Sequence, residues 1–446
     1  MSMKKTCKRF CWLLLAACTL SAPPARGETG AEFLNAAVTK YRPLVERVRN
    51  RPFKRPVAQE VLATERIRAY LLDNFDHEYT PPMLAFNNAF FAEFNLVPPG
   101  MDLKTLLVDL LTAQIGGFYD PATRSFYMAE PFAGSPLSGM IIAHELTHAL
   151  QDGYLPLEET LKLRDLGYGD DSARLNDDTA LARIALIEGE AQEVTGRILA
   201  AAGLAFTPDY LRRNDLGQLI SSQIQLSCTP AVIANQLIFP YTRGQGFIKV
   251  INRRPGWVDV NAAYADLPCS TEQIIHPEKY LAGETPVVVT LPGLAALGDA
   301  GWTMVATNTL GEFMADEVVR TLTGCFAKGV RAAAGWAGDT MCIMTRGPAT
   351  LVVWYTVWDT PRDAVEFHGF FNEGLASLAP APGTPPARYR LLALRDSAVA
   401  YASAPDPDTA ADLLRLCGTV ELVPWNIAHP PATPRTTGEE HAADHP

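Results

Sequence analysis

The chain has 446 residues, of which 48% are hydrophobic and 20% are charged. This is the composition of a globular protein with room for two or three domains, and it excludes a disordered or fibrous chain. Lysine and arginine total 38 against 49 aspartate and glutamate, which gives a formal net charge of −11. An acidic chain has no general electrostatic attraction to nucleic acid, so we expect no nucleic-acid partner.

The first residues have the pattern of an export signal. Basic residues precede an apolar run at 10–17, which is too short to span a bilayer but has the length of a secretory signal's hydrophobic region. The segment 15–18 also resembles the lipobox of bacterial lipoproteins, in which the cysteine is lipidated and becomes the new N-terminus. We predict a signal over residues 1–27 and an exported, extracytoplasmic protein. Membrane attachment through a lipidated Cys18 is one expectation, and cleavage of a plain signal peptide near residues 25–27 is the other.

The next segment, 31–114, is predicted to be helical. Apolar residues recur there at helical spacing, and the predicted helices cover 33–49, 57–75, 81–94 and 102–114. Because they precede the residues that carry the chemistry, residues 33–94 are also a candidate inhibitory cover for the cleft.

Residues 115–285 are predicted to form a second domain. Short aromatic runs at 116–119 and 125–128 flank a turn at Pro121 and predict a β-hairpin. An apolar-periodic helix is predicted at 138–152 and another at about 179–202.

The C-terminal part is predicted to be a separate α+β domain over residues 286–423, which makes the whole chain α+β. The predicted strands cover 286–291, 341–344, 351–358 and 389–394, and the predicted helices cover 311–322, 362–378 and 409–417. The proline-rich tail 424–446 is predicted to be disordered.

Five cysteines follow Cys18, namely Cys228, Cys269, Cys325, Cys342 and Cys417. In an oxidising compartment they predict one or two structural disulfides and a buried thiol, with the pairing left open.

His144, Glu145 and His148 form an H-E-x-x-H sequence inside the helix predicted at 138–152. Four residues along a helix turn through about 400°, so both imidazoles project from one face and can bind one Zn²⁺. Zinc lowers the pKa of a bound water to about 7, and Glu145 can take its proton as the water attacks a carbonyl. The sequence therefore predicts zinc as cofactor, two histidine ligands and Glu145 as general base.

A catalytic zinc site needs a third protein ligand and an open fourth position. The candidates on the following helix are Glu188, Glu190 and Glu193. Residues 188 and 190 lie about 200° apart on a helix, so they cannot both face one metal.

The stretch from about 116 to 280 resembles the gluzincin-type metallopeptidases, such as thermolysin and aminopeptidase N, in its H-E-x-x-H and its downstream Glu188-Gly189 pair. The resemblance implies a zincin-like catalytic domain, largely helical with a small sheet, and it selects Glu188 as the third ligand. Gln192, one turn after Glu188, is the candidate for a hydrogen-bond partner that supports the ligands.

The tetrahedral intermediate of peptide hydrolysis needs an oxyanion donor besides the metal. Residues 241–244 read Y-T-R-G, which is similar to the Y-x-K-G element of aminopeptidase-N-like enzymes, so the resemblance implies that role for Tyr241. Thermolysin-like enzymes use a downstream histidine instead, and His276 is the alternative here.

These residues predict an exported zinc endopeptidase that acts on a protein or peptide substrate. The hairpin at 116–128 fits the edge strand with which zincins pair an extended substrate, although an ordinary core hairpin is the alternative. No G-x-M-E-N element precedes His144, so the sequence gives no support for exopeptidase action. Two other functions stay open: a non-catalytic zincin-fold binding or assembly factor of the cell envelope, and hydrolysis of a non-peptide amide.

Overall fold

The structure is a computed structural model that describes residues 30–135, 137–160, 176–202, 229–380 and 387–425. The predicted export signal, Cys18 and Cys228 lie outside these residues. None of the described helices combines the length and the hydropathy of a membrane span.

Helices dominate the described residues before position 285. In chain order these are α1 (Gly30–Arg49), α2 (Thr64–Glu78), α3 (Pro81–Glu93), α4 (Leu103–Gln114), α5 (Ser138–Gln151), α6 (Leu157–Thr160), α7 (Asp177–Ala201), α8 (Ala231–Ile251), α9 (Val258–Ala263), α10 (Thr271–Ile275) and α11 (Pro277–Ala282). The later helices are α12 (Gly311–Thr323), α13 (Phe326–Ala333), α14 (Pro361–Leu375) and α15 (Pro407–Leu416).

Strands are concentrated in the C-terminal part. In chain order they are β1 (Ala58–Leu62), β2 (Gly117–Asp120), β3 (Ser125–Ala129), β4 (Val287–Thr290), β5 (Thr303–Asn308), β6 (Trp336–Arg346), β7 (Ala349–Trp358), β8 (Tyr389–Arg395), β9 (Ala398–Ala404) and β10 (Glu421–Pro424). Within the described residues they form sheets of order β1-β3-β2, β10-β4 and β5-β6-β7-β9-β8. The predicted α+β class is confirmed.

The small sheet β1-β3-β2 corrects one predicted helix. Residues 57–75 are predicted as a single helix, but Ala58–Leu62 is a strand that pairs in parallel with β3, and the helix begins at Thr64. The backbone hydrogen bonds offered by β3 override the helix propensity of these residues. The predicted hairpin is confirmed, because β2 and β3 pair antiparallel with Tyr119 opposite Phe126.

The five-stranded sheet separates two hydrophobic cores. On β7, Val352 and Trp354 face the core that contains the N-terminal helices, whereas Leu351, Val353 and Tyr355 face a second core with α15. A strand that is buried on both faces has a nearly continuous apolar sequence. This is why β7 is predictable from the sequence. The neighbouring strand β6 is longer than predicted, because the predicted residues 341–344 are only its centre.

Helix α3 packs directly on this sheet. The Glu93 carboxylate at the end of α3 is buried and accepts hydrogen bonds from Arg390 Nε at 2.8 Å and from the Tyr401 hydroxyl at 2.5 Å. The Phe94 ring lies against Trp354 and Tyr401. The core around the middle helices is therefore continuous with the sheet.

Two further predictions need correction. Pro424, placed in the disordered tail, belongs to β10 and pairs with Val287, while residues 426–446 lie outside the described part. The predicted disulfides are not found in the described residues, where Cys269, Cys325, Cys342 and Cys417 carry free thiols. Cys342 and Cys417 lie in the second core, where a thiol packs as a small apolar group.

Candidate metal centre

Three donor atoms from two helices meet in the middle of the molecule. His144 and His148 project from α5, and Glu188 projects from α7, which packs against it. His144 Nε2 lies 3.0 Å from Glu188 Oε2 and 3.1 Å from His148 Nε2, and His148 Nε2 lies 3.4 Å from Glu188 Oε2. These residues form a group that could hold a metal ion.

The triangle has the dimensions of a tetrahedral metal site. Ligand atoms bound at about 2.0–2.1 Å in tetrahedral geometry lie about 3.3 Å apart. The observed separations of 3.0, 3.1 and 3.4 Å bracket that value. The second carboxylate oxygen, Glu188 Oε1, is buried without a hydrogen-bond partner among the described residues. A buried unsatisfied carboxylate oxygen is costly, so the donor set fits a cation.

The histidines and Glu188 are buried because α5 and α7 lie in the core. Helices α1 and α7 and strand β2 pack around α5, and most of its residues are buried. Asn176 is the N-cap of helix α7, and its side chain accepts a hydrogen bond from the Thr179 amide. The donor atoms are therefore largely shielded from bulk solvent.

The other two candidate glutamates have different partners. Glu190 is fully buried and forms an ion pair with Arg49, which donates through Nε. Glu193 accepts from Arg197 Nε at 2.9 Å and from Gln245 Nε2 at 3.2 Å. Of the three, Glu188 is the one whose carboxylate meets the histidines, and Glu188 and Glu190 face different parts of the structure as the helical spacing requires.

Charge on the three residues is strongly coupled in the metal-free state. Burial opposes ionisation of Glu188, yet the two histidines lower its pKa to about 2. Burial likewise opposes charge on His148, but Glu188 raises the pKa of that imidazole to about 9. Burial lowers the pKa of His144.

Glu145 points to the hairpin in front of α5. Its Oε2 accepts a hydrogen bond from the Tyr119 amide of β2 at 2.8 Å. Burial raises the pKa of Glu145 to about 8, although His148 acts in the opposite direction. The carboxylate is thus held in place and has a high affinity for a proton.

A residue outside the predicted site, Gln151, orients His148. His148 Nδ1 lies 2.8 Å from Gln151 Oε1, and Gln151 Nε2 donates to the Ile187 carbonyl at 3.0 Å. Gln151 therefore has the supporting position for which Gln192 was the candidate. Its signal in the sequence is the i,i+3 spacing from His148, which places both on one helix face.

Tyr241 is brought to the site by an unusually close helix contact. Its ring stacks on His144 with the centroids 6.0 Å apart. One turn later in α8, a Cβ on Gly244 would lie 2.0 Å from the Ala185 carbonyl oxygen of α7, and a Cβ on Gly189 would lie 2.2 Å from the Gly244 carbonyl carbon. Glycine at 189 and 244 lets α7 and α8 touch, and this contact sets the position of Tyr241 beside His144.

His276, the alternative oxyanion donor, has carboxylate partners. Its Nε2 lies 2.9 Å from Glu312 Oε1, and its Nδ1 lies 3.5 Å from Glu278 Oε1. The hydrogen bond to Glu312 raises the pKa of His276. Of the two candidates, Tyr241 is the one that contacts a histidine of the metal group.

A second group of potential ligands contains Glu272, Glu284 and Asp359. Lys279 Nζ lies 2.6 Å from a carboxylate oxygen of each. The lysine ammonium occupies the centre of this group.

Comparison with known proteins leaves the metal group unassigned. A family described as a domain of unknown function (DUF8575) matches residues 291–414, which do not include the group. A search of curated proteins finds no match. A solved structure of a candidate hydrolase with a novel fold from Chloroflexus aurantiacus is 16% identical with a TM-score of 0.37, covering 58% of this chain and 92% of that one. Similarity at that level carries no argument about function.

Proposed function

We propose that this protein is an exported zinc endopeptidase of the gluzincin type. The observation that carries the proposal is the triangle of His144, His148 and Glu188 donor atoms, with separations of 3.0 to 3.4 Å, next to the Glu145 carboxylate on the same helix. Two imidazoles and a carboxylate also hold Fe²⁺ in some oxygenases. A carboxylate adjacent to the histidines in H-E-x-x-H favours zinc and hydrolysis, because its use is to take a proton from water.

The chain's own groups divide the chemistry among them. Held by these ligands, Zn²⁺ would polarise a peptide carbonyl and make a water nucleophilic near neutral pH. The Glu145 carboxylate would accept the proton of the attacking water and then donate it to the leaving amine nitrogen. The Tyr119 amide, which donates to Glu145 at 2.8 Å, keeps the carboxylate oriented for both transfers. The Tyr241 hydroxyl would donate to the oxyanion of the substrate.

The hairpin supports a peptide as the substrate. Among the described strands, β2 is at the end of the β1-β3-β2 sheet, and Tyr119 on this strand is bonded to the proposed base. An extended peptide that aligned with β2 would bring its carbonyl groups past Glu145, as in strand addition to a sheet edge.

The proposed location rests on the sequence of residues 1–27, which matches an export signal. Lipid attachment at Cys18 is part of the proposal. Mass spectrometry of the mature N-terminus tests it: a diacylglyceryl cysteine at position 18 supports attachment, and an unmodified terminus after residue 25 or later contradicts it.

The first prediction concerns Glu145→Gln. We expect this variant to keep one zinc per chain and to lose activity on an unfolded casein-like substrate by about 10²- to 10⁴-fold, the usual contribution of general acid–base catalysis. Zinc content is measured by elemental analysis and turnover by release of internal peptides.

Glu193→Gln is the matched control, because it neutralises a glutamate of α7 that pairs with Arg197. It should keep both zinc and activity. Full activity in Glu145→Gln would refute the assigned base. Stoichiometric zinc with no turnover by the wild-type protein on any peptide library would refute the peptidase and favour a binding protein.

A further inference from the structure

Behind the metal group, hydrogen bonds lead from His148 to the N-terminal helix. Gln151 Oε1 lies 2.8 Å from His148 Nδ1, and Gln151 Nε2 donates to the Tyr264 hydroxyl at 3.1 Å as well as to the Ile187 carbonyl. The Tyr264 hydroxyl donates to Glu190 Oε2. The route joins helices α5, α7 and α1 through Tyr264, which directly follows α9.

Glu190 ends this route in a desolvated ion pair. Arg49, the last residue of α1, donates through Nε to Glu190 Oε1. The Arg49 side chain is 1% exposed and the Glu190 side chain 0%. Such a pair is held only where each charge has its partner, because an unpaired charge at this depth is costly.

The ion pair fixes the direction of each hydrogen bond. A carboxylate paired with a guanidinium only accepts, so Tyr264 gives its single proton to Glu190 and presents its lone pair to Gln151. The Gln151 amide nitrogen then faces Tyr264 and its oxygen faces His148. His148 must carry its proton on Nδ1 in the neutral ring, which leaves the Nε2 lone pair directed at the metal group.

Arg49 is itself held by a strained residue. Its guanidinium carbon lies 4.9 Å from the centre of the Trp257 ring, and its Nη2 donates to Asn261 Oδ1 at 2.6 Å. Trp257 has φ 63°, a left-handed conformation that is costly for a residue with a side chain. Its indole Nε1 donates to the Val48 carbonyl at 2.7 Å. The hydrogen bond to Val48 helps to hold Trp257 in this conformation. Trp257 and Asn261 together then fix the position of the Arg49 guanidinium.

We propose that Arg49 and Tyr264 are positioning residues of the metal centre, which act through Glu190 and Gln151 to hold His148 with Nε2 turned to the metal. The proposal rests on the proposed zinc site and extends it into α1. Residues 30–49 are then part of the support of the site. They are not a removable cover.

Tyr264→Phe in the full-length chain tests the proposal by removing one oxygen. We expect the zinc dissociation constant, measured by chelator competition, to rise about 3- to 10-fold, which is at or below the lower end of the about 10- to 100-fold range for direct supporting partners. We also expect ¹⁵N NMR of the metal-free protein at high pH to show His148 as a mixture of tautomers, where the wild type carries Nδ1–H. The Gln151 amide still donates to the Ile187 carbonyl in this variant and so keeps part of its orientation. The loss of zinc affinity and of the single tautomer is therefore partial.

Tyr280→Phe is the matched control. It removes a hydroxyl that donates to the Asp266 carbonyl at 2.7 Å, so it changes packing and stability in a comparable way. We expect its zinc affinity and its His148 tautomer to be those of the wild type. An unchanged tautomer in Tyr264→Phe overturns the proposal, and so does an equal effect in Tyr280→Phe.

Arg49 variants test the far end of the route. Arg49→Met should raise the zinc dissociation constant as Tyr264→Phe does. Arg49→Lys should restore only part of the zinc affinity, because a cation again faces Glu190 but the planar guanidinium that contacts Trp257 and Asn261 is lost. If Arg49→Met does not fold, the Tyr264→Phe result decides. If the wild type binds no zinc, the proposed function fails, while the His148 tautomer still decides the positioning role.

Discussion

Among the residues that the structure describes there are two groups of potential metal ligands, and they differ in what occupies their centre. In one, the carboxylates of Glu272, Glu284 and Asp359 surround the Lys279 ammonium at 2.6 Å each. In the other, His144 and His148 face Glu188 with no more than 3.4 Å between donor atoms. Here the Glu188 Oε1 atom has no hydrogen-bond partner in the described residues.

The difference separates a structural cluster from a candidate site. A carboxylate group that encloses its own lysine has its charge compensated within the chain, so a metal would have to displace an ammonium. Imidazoles that meet a carboxylate supply lone pairs with little negative charge, and this donor set suits a transition metal such as zinc. The closeness of the three potential ligand atoms does not by itself distinguish the two groups, because it is similar in both.

The largest expected effect is the loss of zinc affinity when Glu188 of the histidine group is substituted. Glu188→Gln should weaken zinc binding by about 1,000-fold or more, because loss of a direct ligand exceeds the 10- to 100-fold effect of an outer partner. Isothermal titration of the metal-free protein with zinc measures it.

Glu272→Gln is the control for that substitution. It leaves Lys279 with two carboxylate partners, so it should lower the free energy of unfolding by about 2 kcal/mol and leave zinc affinity unchanged. Equal zinc affinities in the wild type and Glu188→Gln would show that the histidine group is not the metal site.

The next effect concerns the helix contact that brings Tyr241 to His144. Gly244→Ala would place a Cβ 2.0 Å from the Ala185 carbonyl oxygen. Since backbone atoms of two core helices must then separate, we expect a loss of about 3 kcal/mol in the free energy of unfolding. Urea unfolding measures this loss. Unfolding at the wild-type urea concentration would contradict the close packing of α7 and α8.

The smallest expected effect is a gain in stability, and it tests the same packing of α7 and α8. A Cβ on Gly246, two residues later in α8, would meet nothing within 4 Å. Alanine is favoured over glycine inside a helix by about 0.5–1 kcal/mol, so Gly246→Ala should stabilise the protein by that amount in the same urea experiment. A loss of stability would mean that α8 is not helical at this position.

The histidines of the site were predictable because their relation is local. Two residues four apart on a helix share a face whatever the rest of the fold does, so His144, Glu145 and His148 could be assigned from spacing. Glu188 needed the resemblance to choose it from three glutamates, because its contact with the histidines is long-range. Gln151 has a local signal in its spacing from His148, although the residue predicted for the supporting role is Gln192.

Arg49 and Tyr264 had no such signal. Arg49 lies 141 residues from Glu190 along the chain, and Tyr264 lies 74 residues from it. Contacts between residues so far apart in the chain depend on how the helices pack. That packing cannot be deduced from the pattern of a single sequence. The secondary structure of β1 was wrongly predicted for a related reason. Its residues favour a helix, and only their pairing with β3 makes them extended.

Anomalous scattering at the zinc edge from crystals of the purified full-length protein tests the central claim most directly. The account predicts one strong peak per chain about 2.0–2.1 Å from Nε2 of His144, Nε2 of His148 and an oxygen of Glu188. A peak among Glu272, Glu284 and Asp359, or no peak beside the histidines from zinc-saturated protein, would contradict it.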